Sequence, residues 1–105
     1  MKKRNFDIVR HPEVKNDLQE AIDYYNKEKD GLGDQFYFVA KKEMETLTKD
    51  AFLYEIRFED ARFLKVGKFP YVIYYYIIEE ENTIYIDAVK CMYKDPDTNW
   101  KTREF

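Results

Sequence analysis

The run VIYYYII, residues 72–78, is the most informative segment of the sequence. Every residue in it is aliphatic or aromatic, and the run is bounded by Phe69-Pro70 on one side and by the acidic segment 79–82 on the other. A short apolar run between two breaks is typical of a strand that is buried on both faces. Such strands lie in the interior of a sheet. We therefore predict that residues 72–78 form the central strand of a sheet and are covered on both faces.

The segments around this run alternate between apolar and polar residues, as half-buried strands do. Tyr54, Ile56 and Phe58 alternate with charged residues, and EEEN at 79–82 is typical of a hairpin turn. Gly67 interrupts one of these segments, so we predict a β-bulge there. The predicted strands span residues 5–10, 54–59, 62–69, 72–78 and 83–92.

Two amphipathic helices are predicted between the first strand and the others, because apolar residues recur there at helical spacing. Pro12 suits the first turn of the first helix, and Gly31 accepts the positive φ that ends it. Asp34 is predicted to cap the second helix. So short a joint favours an antiparallel helical hairpin. The predicted apolar faces are Val14, Leu18, Ala21, Ile22 and Tyr25 on the first helix and Phe36, Val39, Ala40, Met44 and Leu47 on the second.

The resulting order, β-α-α-β-β-β-β, predicts an α+β fold in which the helical hairpin packs on one face of a mostly antiparallel sheet. The sequence of 105 residues is predicted to form one domain, 1–105.

Composition excludes several classes of function. A single cysteine excludes an intramolecular disulfide and Cys-cluster zinc sites, and a single histidine argues against a His-rich metal site, so we expect no metal and no cofactor. The longest apolar run, residues 71–78, is far shorter than the ~20 residues that cross a bilayer, and no secretory leader is evident. We expect a cytoplasmic protein. The net charge of −3 leaves no domain-wide basic face for nucleic acid.

Four segments, which together span nearly the whole chain, resemble the RelE/ParE superfamily of toxins from type II toxin–antitoxin systems. They are IVRHPEVKNDLQEAIDYY (8–25), GLGDQF (31–36), EIRFEDARFLKVGKFPYVIYYYI (55–77) and IDAVKCMYKDPDTNWKTR (86–103). GLGDQF and FPYVIYY are closer to the ParE-like, plasmid stabilisation group. The resemblance implies a small growth-arresting toxin that is neutralised by a cognate antitoxin.

The resemblance leaves the target open between two classes. ParE-like members bind DNA gyrase, whereas RelE-like members cleave mRNA in the ribosomal A site. Members with the FPYVIYY strand usually carry a His and an Arg before Asp-Pro, and here Lys90 or Cys91 and then Lys94 hold those positions. This difference and the acidic charge favour gyrase. The alternatives are a ribosome-dependent endoribonuclease and a degenerate member that binds antitoxin but inhibits nothing.

For the endoribonuclease alternative, the resemblance implies the catalytic residues. Arg62 and Lys65 would bind and stabilise the phosphate, and Tyr93 or Lys94 would supply the proton. Cleavage without metal needs a base, an acid and stabilisation of charge on phosphorus, and these residue types can serve those roles. The competing interpretation is an ordinary solvated sheet face.

The position of Phe38 on the second helix predicts a partner-binding surface. At about 100° per residue, it lies nearly opposite the apolar stripe of the second helix. A large aromatic residue on a polar face is typical of an interaction site, and Tyr37 and Tyr24 are predicted to contribute. The predicted occupant is the antitoxin or a second copy of the chain; in the alternative, Phe38 packs on the first helix or the C-terminal tail.

Overall fold

The structure is a computed structural model that describes residues 6–52, 56–58 and 60–92. Its element order is the predicted one, and the α+β fold is confirmed. The strands are β1 (Asp7–Arg10), β2 (Ile56–Phe58), β3 (Ala61–Lys65), β4 (Tyr71–Ile78) and β5 (Thr83–Cys91), and the helices are α1 (Val14–Glu28) and α2 (Leu32–Asp50). A short 3-10 helix, Glu79–Glu81, makes the turn between β4 and β5.

The five strands form one sheet in the order β1-β5-β4-β3-β2. β1 pairs with β5 in parallel, and the other pairs are antiparallel. β4 is therefore the central strand, and its residues 72–75 are each at most 5% exposed. The prediction of a central strand that is buried on both faces is confirmed.

The main core lies between the sheet and the helical hairpin. The Tyr75 hydroxyl donates a 2.7 Å hydrogen bond to the Ala51 carbonyl oxygen, which fixes the end of α2 against β4. The predicted apolar faces of both helices are confirmed. Their fully or nearly fully buried members are Val14, Ala21, Phe36, Ala40, Met44 and Leu47, and Leu18, Ile22, Tyr25 and Val39 pack against them.

A second, smaller apolar cluster lies on the other face of the sheet. Ala61, Val72, Tyr74 and Ala88 are buried there, with Phe63 and Tyr76 packed against them. Directly opposed residues of neighbouring strands point to the same face, so membership of either cluster tells which face of the sheet a residue occupies.

β5 contains a β-bulge where it pairs with β4. Tyr74 is paired with Ala88, whereas the next residue, Tyr75, is paired with Ile86. Asp87 is therefore the extra residue of β5, and it is completely buried. The predicted bulge at Gly67 is wrong: β3 ends at Lys65, and Gly67 lies at φ +53° in the turn that follows.

The prediction that Asp34 caps the second helix is also wrong. α2 begins at Leu32, with Gly31 at the N-cap position and φ at +84°. The backbone N–H of Gly33 donates to Oδ1 of Asn26 at 2.7 Å, so a side chain of α1 satisfies a free amide at the start of α2. Asp34 lies in the first turn instead, where a carboxylate is favoured by the positive end of the helix dipole.

Candidate protein-binding groove

A groove of about 1000 Å³ separates α1 from α2 on their outer surface. At one end, Gly33 brings the two helices together, because a Cβ at this position would collide with the backbone oxygen of Ile22. From there the groove runs toward the start of α1. Its apolar floor is formed by Val14, Leu18, Ile22 and Met44. An open groove with an apolar floor between two helices suits a helical partner segment.

The rim of the groove is mainly basic. Arg10, Lys15 and Lys41 line it together with a single carboxylate, that of Asp34. All four of these side chains are exposed. Since clusters of one sign steer oppositely charged partners, this groove favours an acidic partner even though the whole chain carries a net charge of −3.

His11 lines one end of the groove, at the junction of β1 and α1. It is only 8% exposed, and its Nδ1 atom accepts a 3.0 Å hydrogen bond from the backbone N–H of Glu13. Its own backbone N–H donates to the Ile86 carbonyl oxygen at 2.9 Å. His11 thus caps the start of α1 and ties that start to the sheet.

The groove contains one of the three predicted partner-binding residues. Tyr37 lines the groove. Phe38 lies outside it, 60% exposed, beside a separate depression at the joint between the helices. Tyr24 is 55% exposed and packs edge-on against Tyr25 with the ring centroids 5.1 Å apart. Partner binding through these residues stays a prediction, and of the three only Tyr37 belongs to the groove.

The residues predicted for phosphate binding lie on opposite faces of the sheet. Arg62 is paired with Tyr75, a member of the main core, and its guanidinium carbon lies 5.4 Å from the centroid of the Phe52 ring. Lys65 is paired with Val72, which belongs to the cluster on the other face. Its ammonium group donates to the Gly67 carbonyl oxygen at 2.8 Å.

The remaining predicted catalytic residues, Tyr93 and Lys94, lie outside the described residues. The structure instead places Lys65 and Lys90 on the same face of the sheet, one on each side of Val72, because both are paired with Val72 from its two neighbouring strands. This arrangement depends on the register of three strands, and no spacing in the sequence reports it. The predicted nuclease site stays a prediction.

Two tyrosines have raised pKa values. Burial, together with the neighbouring Cys91 and Tyr25 side chains, raises the pKa of Tyr71 to about 12. Burial, and then the carboxylate of Asp87, raises the pKa of Tyr85 as well. Both phenols therefore keep their protons far above neutral pH, which is the opposite of what activation as a base near pH 7 requires.

Within the part of the chain that the structure describes, His, Cys, Asp and Glu side chains form no group of three that could hold a metal ion. No helix among the same residues is long and apolar enough to cross a bilayer.

The fold and the groove define a class: a small α+β domain whose helical hairpin presents a basic-rimmed groove suited to another protein. The family model of the ParE toxin of type II toxin–antitoxin systems, parDE, matches residues 8–96, and the chain belongs to this family. It is thus a type II toxin–antitoxin toxin, a class that implies an antitoxin as partner. No curated protein matches the chain.

Proposed function

We propose that this toxin inhibits bacterial growth by binding DNA gyrase and that a cognate antitoxin neutralises it in the cytoplasm. The observation that carries the proposal is the match of the ParE toxin family over residues 8–96, since ParE-like members of the superfamily act on gyrase. Inhibition by binding needs a surface rather than a convergent set of acids and bases. The groove and the exposed aromatic residues of the hairpin supply such surfaces.

The endoribonuclease alternative has less support. Metal-free cleavage requires groups that meet around one phosphate. Arg62 and Lys65 lie on opposite faces of the sheet, as their pairing with Tyr75 and Val72 shows. One phosphate cannot contact both side chains without a rearrangement of β3.

For the antitoxin, we assign the groove between α1 and α2 as the docking site of an acidic amphipathic helix. Apolar residues of that helix at i, i+3, i+4 and i+7 spacing would lie on the floor formed by Leu18, Ile22 and Met44. Its carboxylates would lie against Lys15 and Lys41 on the rim. Charge pairs at an exposed rim chiefly accelerate association and set its salt dependence, so binding should weaken as salt is added.

The test is a supercoiling reaction with purified gyrase and relaxed plasmid. We expect the chain to inhibit supercoiling or to trap cleaved DNA, and we expect the antitoxin, mixed with the chain beforehand, to restore the reaction. A parallel reaction with translating ribosomes and mRNA is the matched control. Unaffected gyrase together with cut mRNA would assign the chain to the endoribonuclease class, and no effect in either reaction would assign it to the degenerate class.

A further inference from the structure

One row of exposed side chains on α2 carries a self-complementary arrangement of charge. Asp34, Phe38 and Lys42 follow one another at i, i+4 and i+8, so they form a single row along the helix. All three side chains are exposed, Phe38 by 60%. The order along the row is negative, aromatic, positive. We call these three residues the α2 row.

Phe38 and Lys42 lie outside the proposed antitoxin site, and Asp34 lies on its rim. Tyr37 and Lys41 point into the groove, whereas Phe38 and Lys42 are not among the residues that line it. Within the chain, the ammonium group of Lys42 lies 5.5 Å from the centroid of the Phe38 ring. This cation–π contact holds the positive end of the row beside the aromatic residue.

We propose that the α2 row binds the same row of a second copy of this chain, with the two helices antiparallel and a twofold axis passing at Phe38. In that arrangement Phe38 meets Phe38 of the partner subunit, and Asp34 lies against Lys42 of the partner subunit. The twofold axis repeats the Asp34–Lys42 pair at the other end. A parallel arrangement would set like charges against each other, so the charge order selects the antiparallel one.

The geometry is an ordinary one for helices. Rows at i±4 spacing from two helices pack against each other in the commonest class of helix–helix contact. The contact is small, since it consists of one aromatic pair and two exposed ion pairs, and small contacts give weak, transient complexes. We therefore expect a dimer that forms at high concentration and leaves the apolar floor of the groove accessible to an antitoxin.

The test uses charge reversal and sedimentation velocity over a range of concentrations. Asp34→Lys gives a row that is positive at both ends, and Lys42→Asp gives one that is negative at both ends. Each variant should dimerise about tenfold more weakly than the parent chain, because two attractive pairs become repulsive. An equimolar mixture of the two variants should form a heterodimer, and the double variant should dimerise like the parent. Lys27→Asp, the same charge change on α1, is the control.

Phe38→Ala should also weaken the dimer, because it removes the only aromatic contact in the row. The proposal is overturned if the parent chain stays monomeric throughout, or if it dimerises but the mixture of variants fails to form a heterodimer. It is also overturned if Phe38→Ala leaves self-association unchanged while it weakens antitoxin binding, since the row would then belong to the antitoxin.

Discussion

Replacement of Gly33 by alanine is expected to destabilise the fold, although alanine is the better helix former. A Cβ at Gly33 would collide with the Ile22 backbone oxygen and lie 2.7 Å from Cγ of Asn26. It would also push away the side chain that accepts the 2.7 Å hydrogen bond from the Gly33 N–H. The two helices would have to separate at the closed end of the groove.

The opposing contributions can be compared. Alanine gains at most about 1 kcal/mol in helix propensity over glycine. Overpacking against backbone costs about 1–3 kcal/mol, and loss of the hydrogen bond to Asn26 costs about 1 kcal/mol more. When the gain is subtracted from the two costs, we expect Gly33→Ala to lower the free energy of unfolding by about 2 kcal/mol. For a domain of this size that loss lowers Tm by roughly 10–15 °C.

Urea unfolding followed by circular dichroism measures this loss. The matched control is Gly31→Ala, where a new Cβ meets nothing within 4 Å and only the positive φ of +84° opposes the change. That strain costs about 1 kcal/mol, so Gly31→Ala should be the milder substitution. If Gly33→Ala proves as stable as the parent chain, or more stable than Gly31→Ala, the close approach of the helices at Ile22 is refuted.

Three other residues, Asp17, Lys41 and Tyr71, offer further tests. Asp17 accepts a 3.0 Å hydrogen bond from the Val89 N–H, so Asp17→Ala should lower the free energy of unfolding by about 1.5–3 kcal/mol. Asp17→Asn, which keeps an acceptor oxygen, should lose less stability, and equal losses of the two variants in urea unfolding would contradict this prediction. Lys41→Glu should weaken binding of an acidic antitoxin helix about tenfold by calorimetry at low salt. Lys27→Glu, on α1 outside the groove, should leave this binding unchanged, and equal weakening by the two variants would argue against the groove as the docking site. Burial raises the pKa of Tyr71 from 10.0 to about 12, so the folded chain holds this proton more tightly than the unfolded chain. The free energy of unfolding should therefore be retained below pH 10 and fall as the pH rises toward 12. Tyrosines that all ionise together near pH 10 in an ultraviolet titration would exclude the shift.

Much of the fold was predictable because it depends on local periodicity. The apolar run that became β4 and the stripes on α1 and α2 needed only the spacing of their apolar residues. The start of α2 was not predictable in this way. Asp34 is a good capping residue by type, but the Gly33 N–H is satisfied by Asn26 from the preceding helix, and that contact exists only once the hairpin has closed.

Only part of the candidate site could be predicted from the sequence. Arg62 and Lys65 are three residues apart, so a regular strand must place them on opposite faces, and the structure does so. The bulge at Asp87, in contrast, depends on the pairing of β5 with β4. The groove depends on how closely Gly33 lets the helices approach, and a single sequence does not report that distance.

The proposed function is inhibition of gyrase without cleavage of mRNA. Its most direct test is to induce the chain in a bacterial host and to map, in one culture, the DNA breaks that are covalently linked to gyrase and the 5′ ends of cellular mRNA. We predict gyrase-linked breaks that co-expression of the antitoxin prevents, with mRNA ends unchanged from the uninduced culture. New mRNA ends at ribosomal A-site positions, with the DNA intact, would contradict it.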